Sequence, residues 1–115
     1  MNTTTSTNIV LRNSSLTAKD IPIIIEKLHP NVKVFSLSYN NLGDKGIVEL
    51  CEKLPVSIEE LGLVHCNICD VGGEALLEWI KKAKHLKMVC IEQNNFSSEI
   101  RDKFIKESRS FQLFI

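Results

Sequence analysis

Residues 32–54 read VKVFSLSYNNLGDKGIVELCEKL, and the two halves of that stretch obey different periods. In the first half apolar Phe35 and Leu37 alternate with Val34, Ser36 and Ser38, the period of a strand with one face in a core. In the second, Ile47, Leu50, Cys51 and Leu54 share one face of a helix. The strand half fits the template L-x-x-L-x-L-x-x-N-x-L, and the chain repeats it. Val32, Phe35, Leu37, Asn40 and Leu42 superimpose on Ile58, Leu61, Leu63, Cys66 and Ile68, then on Leu86, Val89, Ile91, Asn94 and Phe96. A weaker copy places Ile9, Leu11, Ser14 and Leu16 in the same slots, with Ser6 in the first apolar one. Equivalent residues Ile9, Phe35, Leu61 and Val89 lie 26, 26 and 28 positions apart, a period at which one supersecondary unit must stack on its neighbours to bury its apolar side.

Helical signals follow each strand. Thr17-x-x-Asp20 has the form of a capping box ahead of Pro22, Ile24, Ile25 and Leu28. Gly73, Leu76, Leu77 and Ile80 fall on one face of a third helix, and Ile100, Phe104 and Ile105 on a fourth. Pro30 and Pro55 stand just past the first two helices, where the chain must turn back. Gly43, Gly46, Gly72 and Gly73 flank the helix entries, where close packing or a left-handed backbone is expected. Strand, loop, helix and return repeated in this order give an α/β fold: a short right-handed β-α superhelix of about four repeats, with a parallel sheet on its concave face. One domain covers residues 1–115, with repeats at about 6–31, 32–57, 58–85 and 86–110. Residues 111–115 are too apolar for a free tail and are expected to cap the fourth repeat or begin a fifth strand, while polar Met1–Thr7 is expected either to be loose or to shield part of the first strand.

The stretch from Asn40 through Leu42, Asp44, Gly46 and Leu50 to Leu54 resembles the ribonuclease-inhibitor type of leucine-rich repeat, whose unit reads N-x-L-x-D-x-G-x-x-x-L-x-x-x-L. Asn67, Asp70, Gly72, Leu76 and Ile80 repeat it in part, and the likeness spans roughly residues 8–108. The resemblance implies a horseshoe that binds proteins on its concave sheet and adjoining loops, several relatives doing so to block an enzyme or regulate a switch protein. A looser resemblance is to short leucine-rich-repeat effectors of intracellular bacteria such as Legionella. It rests on the small size, the Asn-, Lys- and Ile-rich usage, and Leu113 near Glu107, Ser108 and Ser110. It implies translocation into a host cell without a Sec-type signal.

Composition narrows the function classes. Lys and Arg number 14 and Asp and Glu 14, so no net field draws the chain to nucleic acid or to an anionic membrane. No apolar run approaches the roughly 18 residues of a membrane span, and Met1–Asn8 lacks the apolar stretch of a secretory signal. Four cysteines without an oxidising address are expected as reduced thiols in a cytosolic protein.

Strand register names the binding face, because alternate residues must look into the hollow. The expected contacts are Val10, Arg12 and Asn13; Val34, Ser36, Ser38 and Tyr39; Glu60, Val64 and His65; and Met88, Cys90, Glu92 and Gln93. Arg12 and Tyr39 are the residue types that most often anchor interfaces. Four strands about 4.8 Å apart span only about 15 Å, so the loops around 13–15, 39–41, 65–67 and 93–95 are needed to reach the size of a stable interface. The partner expected is another protein, such as an enzyme or a fellow effector, and the expected state is a monomer or a heterocomplex.

Catalytic patterns are set aside on spacing. Cys66 and Cys69 have the separation of a redox or half-zinc motif, yet Cys66 fills the repeat's Asn slot and serves as structure. His65 lies about three strand residues, roughly 10 Å, from a position level with Cys90, too far for a dyad. No catalytic residue, metal or cofactor is expected. The basic run Lys81, Lys82, Lys84, His85 and Lys87 complements the C-terminal end of its helix dipole, and Trp79 sits at the margin of that helix's apolar stripe.

Overall fold

A computed structural model describes residues 6–115 of the chain. The expectation for Met1–Thr7 therefore falls largely outside the described residues. Strands β1 (Asn8–Val10), β2 (Val34–Ser36), β3 (Glu60–Gly62), β4 (Met88–Cys90) and β5 (Gln112–Phe114) alternate with helices α1 (Ile21–Glu26), α2 (Gly43–Lys53), α3 (Asp70–Lys82) and α4 (Ser98–Glu107). All neighbouring strands are parallel and follow chain order, and Ile9, Phe35, Leu61, Val89 and Leu113 stand level across the sheet. The fifth strand bonds to the fourth through Gln112 N–H to Lys87 C=O and Ile91 N–H to Phe114 C=O.

The alternation puts Phe35, Leu37, Leu61, Leu63, Val89 and Ile91 in the core at 2 % exposure or less. Their neighbours Ser36, Gly62 and Cys90 remain half-buried on the other sheet face. From the helices, Ile21, Ile24, Ile47, Leu50, Leu76, Leu77, Ile80, Ile100 and Phe104 close the same core. Thr17 and Asp20 form the reciprocal cap of a 3-10 turn that leads into α1, with Pro22 in its first turn. Trp79 is buried, and its indole N–H donates to Leu54 C=O at 2.9 Å, tying α3 to the preceding repeat. Ile105 is a correction: it is 53 % exposed, because the stripe that starts at Ile100 returns at Phe104, and the next residue is already rotated about 100° away.

Each sharp exit from a strand is held by the residue in the Asn slot. Asn40 Oδ1 accepts from Ser14 N–H and Leu16 N–H, both at 2.9 Å, while its Nδ2 donates to Leu11 and Leu37 carbonyls at 2.8 Å. Asn94 does the same two joints later, accepting from Cys66 and Ile68 N–H and donating to Leu63 and Ile91 carbonyls. Only an amide offers both an acceptor and a two-proton donor at that reach, which satisfies backbone that the turn would otherwise bury unpaired. Cys66 fills the slot between them with less: its Sγ donates to Leu37 C=O at 3.3 Å. The Asp of the motif also joins repeats, Asp44 accepting from Cys69 N–H at 2.7 Å and Asp70 from Ser97 N–H at 2.9 Å. Gly43 takes φ +68°, and at Gly72 a Cβ would come within 2.6 Å of Asp44 Oδ1.

Candidate functional site

Strands β2, β3 and β4 and the turns that follow them line a shallow hollow of about 420 Å³ on the face away from the helices, with Arg12 at its side. Of the residues expected there, Arg12, Val34, Ser36, Ser38, Tyr39, Glu60, Val64, Met88, Cys90, Glu92 and Gln93 line it, together with Gly62. Asn13 stands beside the hollow in a second, open dip shared with Arg12 and Tyr39. His65 lines another with Asn41, Asn67, Gln93 and Asn95. Val10 lies on the edge strand, half exposed. Ser38 departs from expectation. It is 3 % exposed, its hydroxyl accepting from Val64 N–H at 3.0 Å and from Ser36 Oγ at 3.3 Å, so it braces the floor instead of presenting a free contact.

The rim of the hollow is built on left-handed backbone. Asn13, Tyr39, His65 and Gln93, one position before each Asn slot, have φ of 48°, 64°, 52° and 62°. Non-glycine residues pay roughly 1–2 kcal/mol for that region, and the cost here sets the direction in which four rim side chains leave the sheet. Arg12 Cζ lies 5.5 Å from the centre of the Tyr39 ring, and the Tyr39 and His65 rings are 5.8 Å apart at 45°. Three side chains from successive repeats thus form one cationic-aromatic row. A second row runs outside it, Asn67 Nδ2 donating to Asn41 Oδ1 at 3.1 Å and Asn95 Nδ2 to Asn67 Oδ1 at 3.2 Å.

The floor is electrostatically negative near β4. Burial pushes the Cys90 thiol up, and the charges of Glu92 and then Glu60 push it further, so the group stays a protonated thiol and a poor nucleophile. Glu92 Oε1 is shielded from solvent yet has no hydrogen-bond partner among the described residues. Cys66 is buried and Cys69 exposed, so that pair does not converge on one ligand. Burial likewise raises the Cys66 thiol, against the pull of backbone hydrogen bonds from Asn40 and Tyr39.

The binding list derived from sequence stops one strand short. In β5 Leu113 pairs with Val89, which leaves Gln112 and Phe114 on the row of Met88 and Cys90, and Phe114 is 38 % exposed. Apolar Phe111, Leu113 and Ile115 carried the signal, since their alternation assigns Gln112 and Phe114 to the opposite face.

A family model described as Leucine Rich repeat matches residues 29–51 and 56–77. Ribonuclease inhibitor of Sus scrofa is 30% identical over 90 residues, 74% of this chain and 20% of its own length. The chain is a leucine-rich-repeat protein of the ribonuclease-inhibitor type. NACHT, LRR and PYD domains-containing proteins 14 and 5 of Mus musculus are 34% and 37% identical to this leucine-rich-repeat chain over 67 and 71 residues. Those matches cover 56% and 59% of it, and 7% and 6% of the relatives. The chain thus spans a fifth or less of the curated relatives it matches. The same fold is found in a solved structure of leiomodin-1 actin-binding site 2, with a TM-score of 0.75 and 16% identity over 95% of this chain and 70% of that one. Among the described residues no helix is long and apolar enough to cross a membrane.

Proposed function

We propose that this protein is a non-catalytic interaction module that receives one partner protein in its concave hollow and adjoining loops and blocks that partner's working surface. The observation that carries this is the shielded, unpartnered Glu92 Oε1 in the floor of the hollow. A buried acceptor left unpaired costs about 1–3 kcal/mol, which a donor brought by a partner returns. The Arg12–Tyr39–His65 row supplies anchors of the kind that dominate protein interfaces. Occlusion needs only complementary shape and charge, and ribonuclease inhibitor, by its name, has that relationship to an enzyme. The raised Cys90 thiol supports a binding role over thiol chemistry.

Affinity capture and identification of the bound protein, followed by titration calorimetry, tests this. Arg12→Ala or Tyr39→Ala is expected to weaken binding by 1–2 kcal/mol or more each, and to relieve inhibition of a captured enzyme. A complex with the partner confined to the helical side would refute it. The scaffold alternative, in which a host regulatory protein is recruited without being inhibited, predicts the same loss of binding with full partner activity throughout. Four free cysteines support a reducing compartment. A translocation reporter fused to the chain and delivered from an intracellular bacterium tests the effector reading, which fails if the reporter stays in the bacterium.

A further inference from the structure

The edge of the slab opposite the rim is formed where each helix hands the chain back to the next strand. The return segments 27–33, 53–59, 81–87 and 107–111 hold eight of the fourteen Lys and Arg but two of the fourteen Asp and Glu. The rest of the chain carries the opposite excess, so a neutral total conceals a cationic edge. A groove of about 620 Å³ opens along that edge, drawing on three successive repeats. Leu28, Pro55 and Val56 give it an apolar floor, Lys33, Lys53 and His85 stand around it, and no carboxylate lines it. Val56 is 48 % exposed. The carboxylate of the return loops at this edge, Glu59, is engaged by Lys87 at 3.2 Å and Lys33 at 4.0 Å, whereas Lys53 forms no ion pair among the described residues.

Apolar side chains left open in a folded protein, ringed by charge of one sign, mark a contact surface. The apolar atoms line a groove, which a flat lipid headgroup layer meets poorly, and no Phe, Tyr or Trp lines it to stack a nucleobase. An extended peptide meets both demands, an apolar side chain filling the floor while flanking carboxylates reach Lys33 and Lys53. We propose that this groove is a second docking surface, separate from the concave hollow, and that it takes an acidic protein segment bearing an apolar anchor residue. The basic run ending α3 then has a role beyond the helix dipole, since His85 brings that segment to the lip of the groove.

The test is a 15N nuclear magnetic resonance titration of the full chain with a synthetic decapeptide of Asp and Glu around a central Leu-Leu pair. Saturable shifts are expected at the amides of Leu28, Val56, Ser57 and His85. Affinity is expected to fall at least tenfold with Lys53→Glu, with Val56→Asp and with Ser in place of the peptide's Leu pair, and to be unchanged in Tyr39→Ala. The variants change exposed side chains, and each must keep the amide dispersion of the parent. The proposal is overturned by the absence of saturable shifts at millimolar peptide, by shifts centred on the concave face, or by binding that survives Val56→Asp. Stronger perturbation of the same amides by phosphatidylserine–phosphatidylcholine vesicles or by oligothymidine would overturn it in favour of those ligands.

Discussion

Replacing Asn40 with Ala should be among the costliest single changes outside the apolar core. The side chain is 2 % exposed and makes four hydrogen bonds of 2.8–2.9 Å, to two N–H groups of the first repeat's loop and to the Leu11 and Leu37 carbonyls. At about 0.5–1.5 kcal/mol net for each bond, the loss lies between roughly 2 and 6 kcal/mol. Ser14 is exposed and Leu16 half-buried, so water can reach part of what the truncation frees, which places the cost near about 3 kcal/mol. A domain of this size loses about 4 °C per kcal/mol, so Tm should fall by roughly 12 °C. Asn40→Asp separates chemistry from volume: it keeps the size and one acceptor but turns carboxylate oxygen toward two carbonyl oxygens, and should cost at least as much. Urea unfolding followed by the fluorescence of buried Trp79, the sole tryptophan, reports both. A cost below about 1 kcal/mol for the Ala variant, or a neutral Asp variant, would refute the claim that the amide holds the joint between repeats.

The complementary change, Cys66→Asn, restores the amide at the joint held by a thiol and should raise stability by about 1 kcal/mol in the same unfolding assay. Gly72→Ala should destabilise by about 1–3 kcal/mol, because its Cβ would meet Asp44 Oδ1 at 2.6 Å and Ile68 Cγ2 at 2.7 Å; unchanged unfolding would show that the helix shifts freely. Backbone and side-chain hydrogen bonds from Ser97 hold the Asp70 carboxyl below its ordinary 3.8. Its stabilisation is therefore full above that pH and lost as pH falls through the lower folded value. Asp70→Asn should accordingly flatten the acid limb of an unfolding-versus-pH curve. Thiol labelling at pH 8 with peptide mapping should find exposed Cys69 modified first and Cys51, pushed up to about 12 by burial, only on unfolding.

The fold was legible because a fixed period and strict alternation leave one arrangement that buries Phe35, Leu37 and their equivalents together. The sheet face was legible for the same reason, down to the residues lining the hollow. What alternation cannot convey is how far a side chain stands clear of its neighbours. Ser38 has the correct parity yet is covered, because its hydroxyl is drawn to the next strand's Val64 N–H. Nor does the pattern reveal that Tyr39, a bulky ring, sits at φ 64°, or that this turns it between Arg12 and His65. The return-loop groove escaped because its walls come from segments with no shared motif, and because the helix dipole accounts for the basic run locally, which hides what that run adds to one edge.

A molecule can be neutral by titration and still be strongly polar in space. With cations gathered along the return loops and carboxylates elsewhere, this one carries a permanent dipole across its breadth. A polyanion approaching through dilute salt will turn it before touching it, so that first encounters are made edge-on and the cup is left facing open solvent. Raising ionic strength removes that torque and lets either side arrive first.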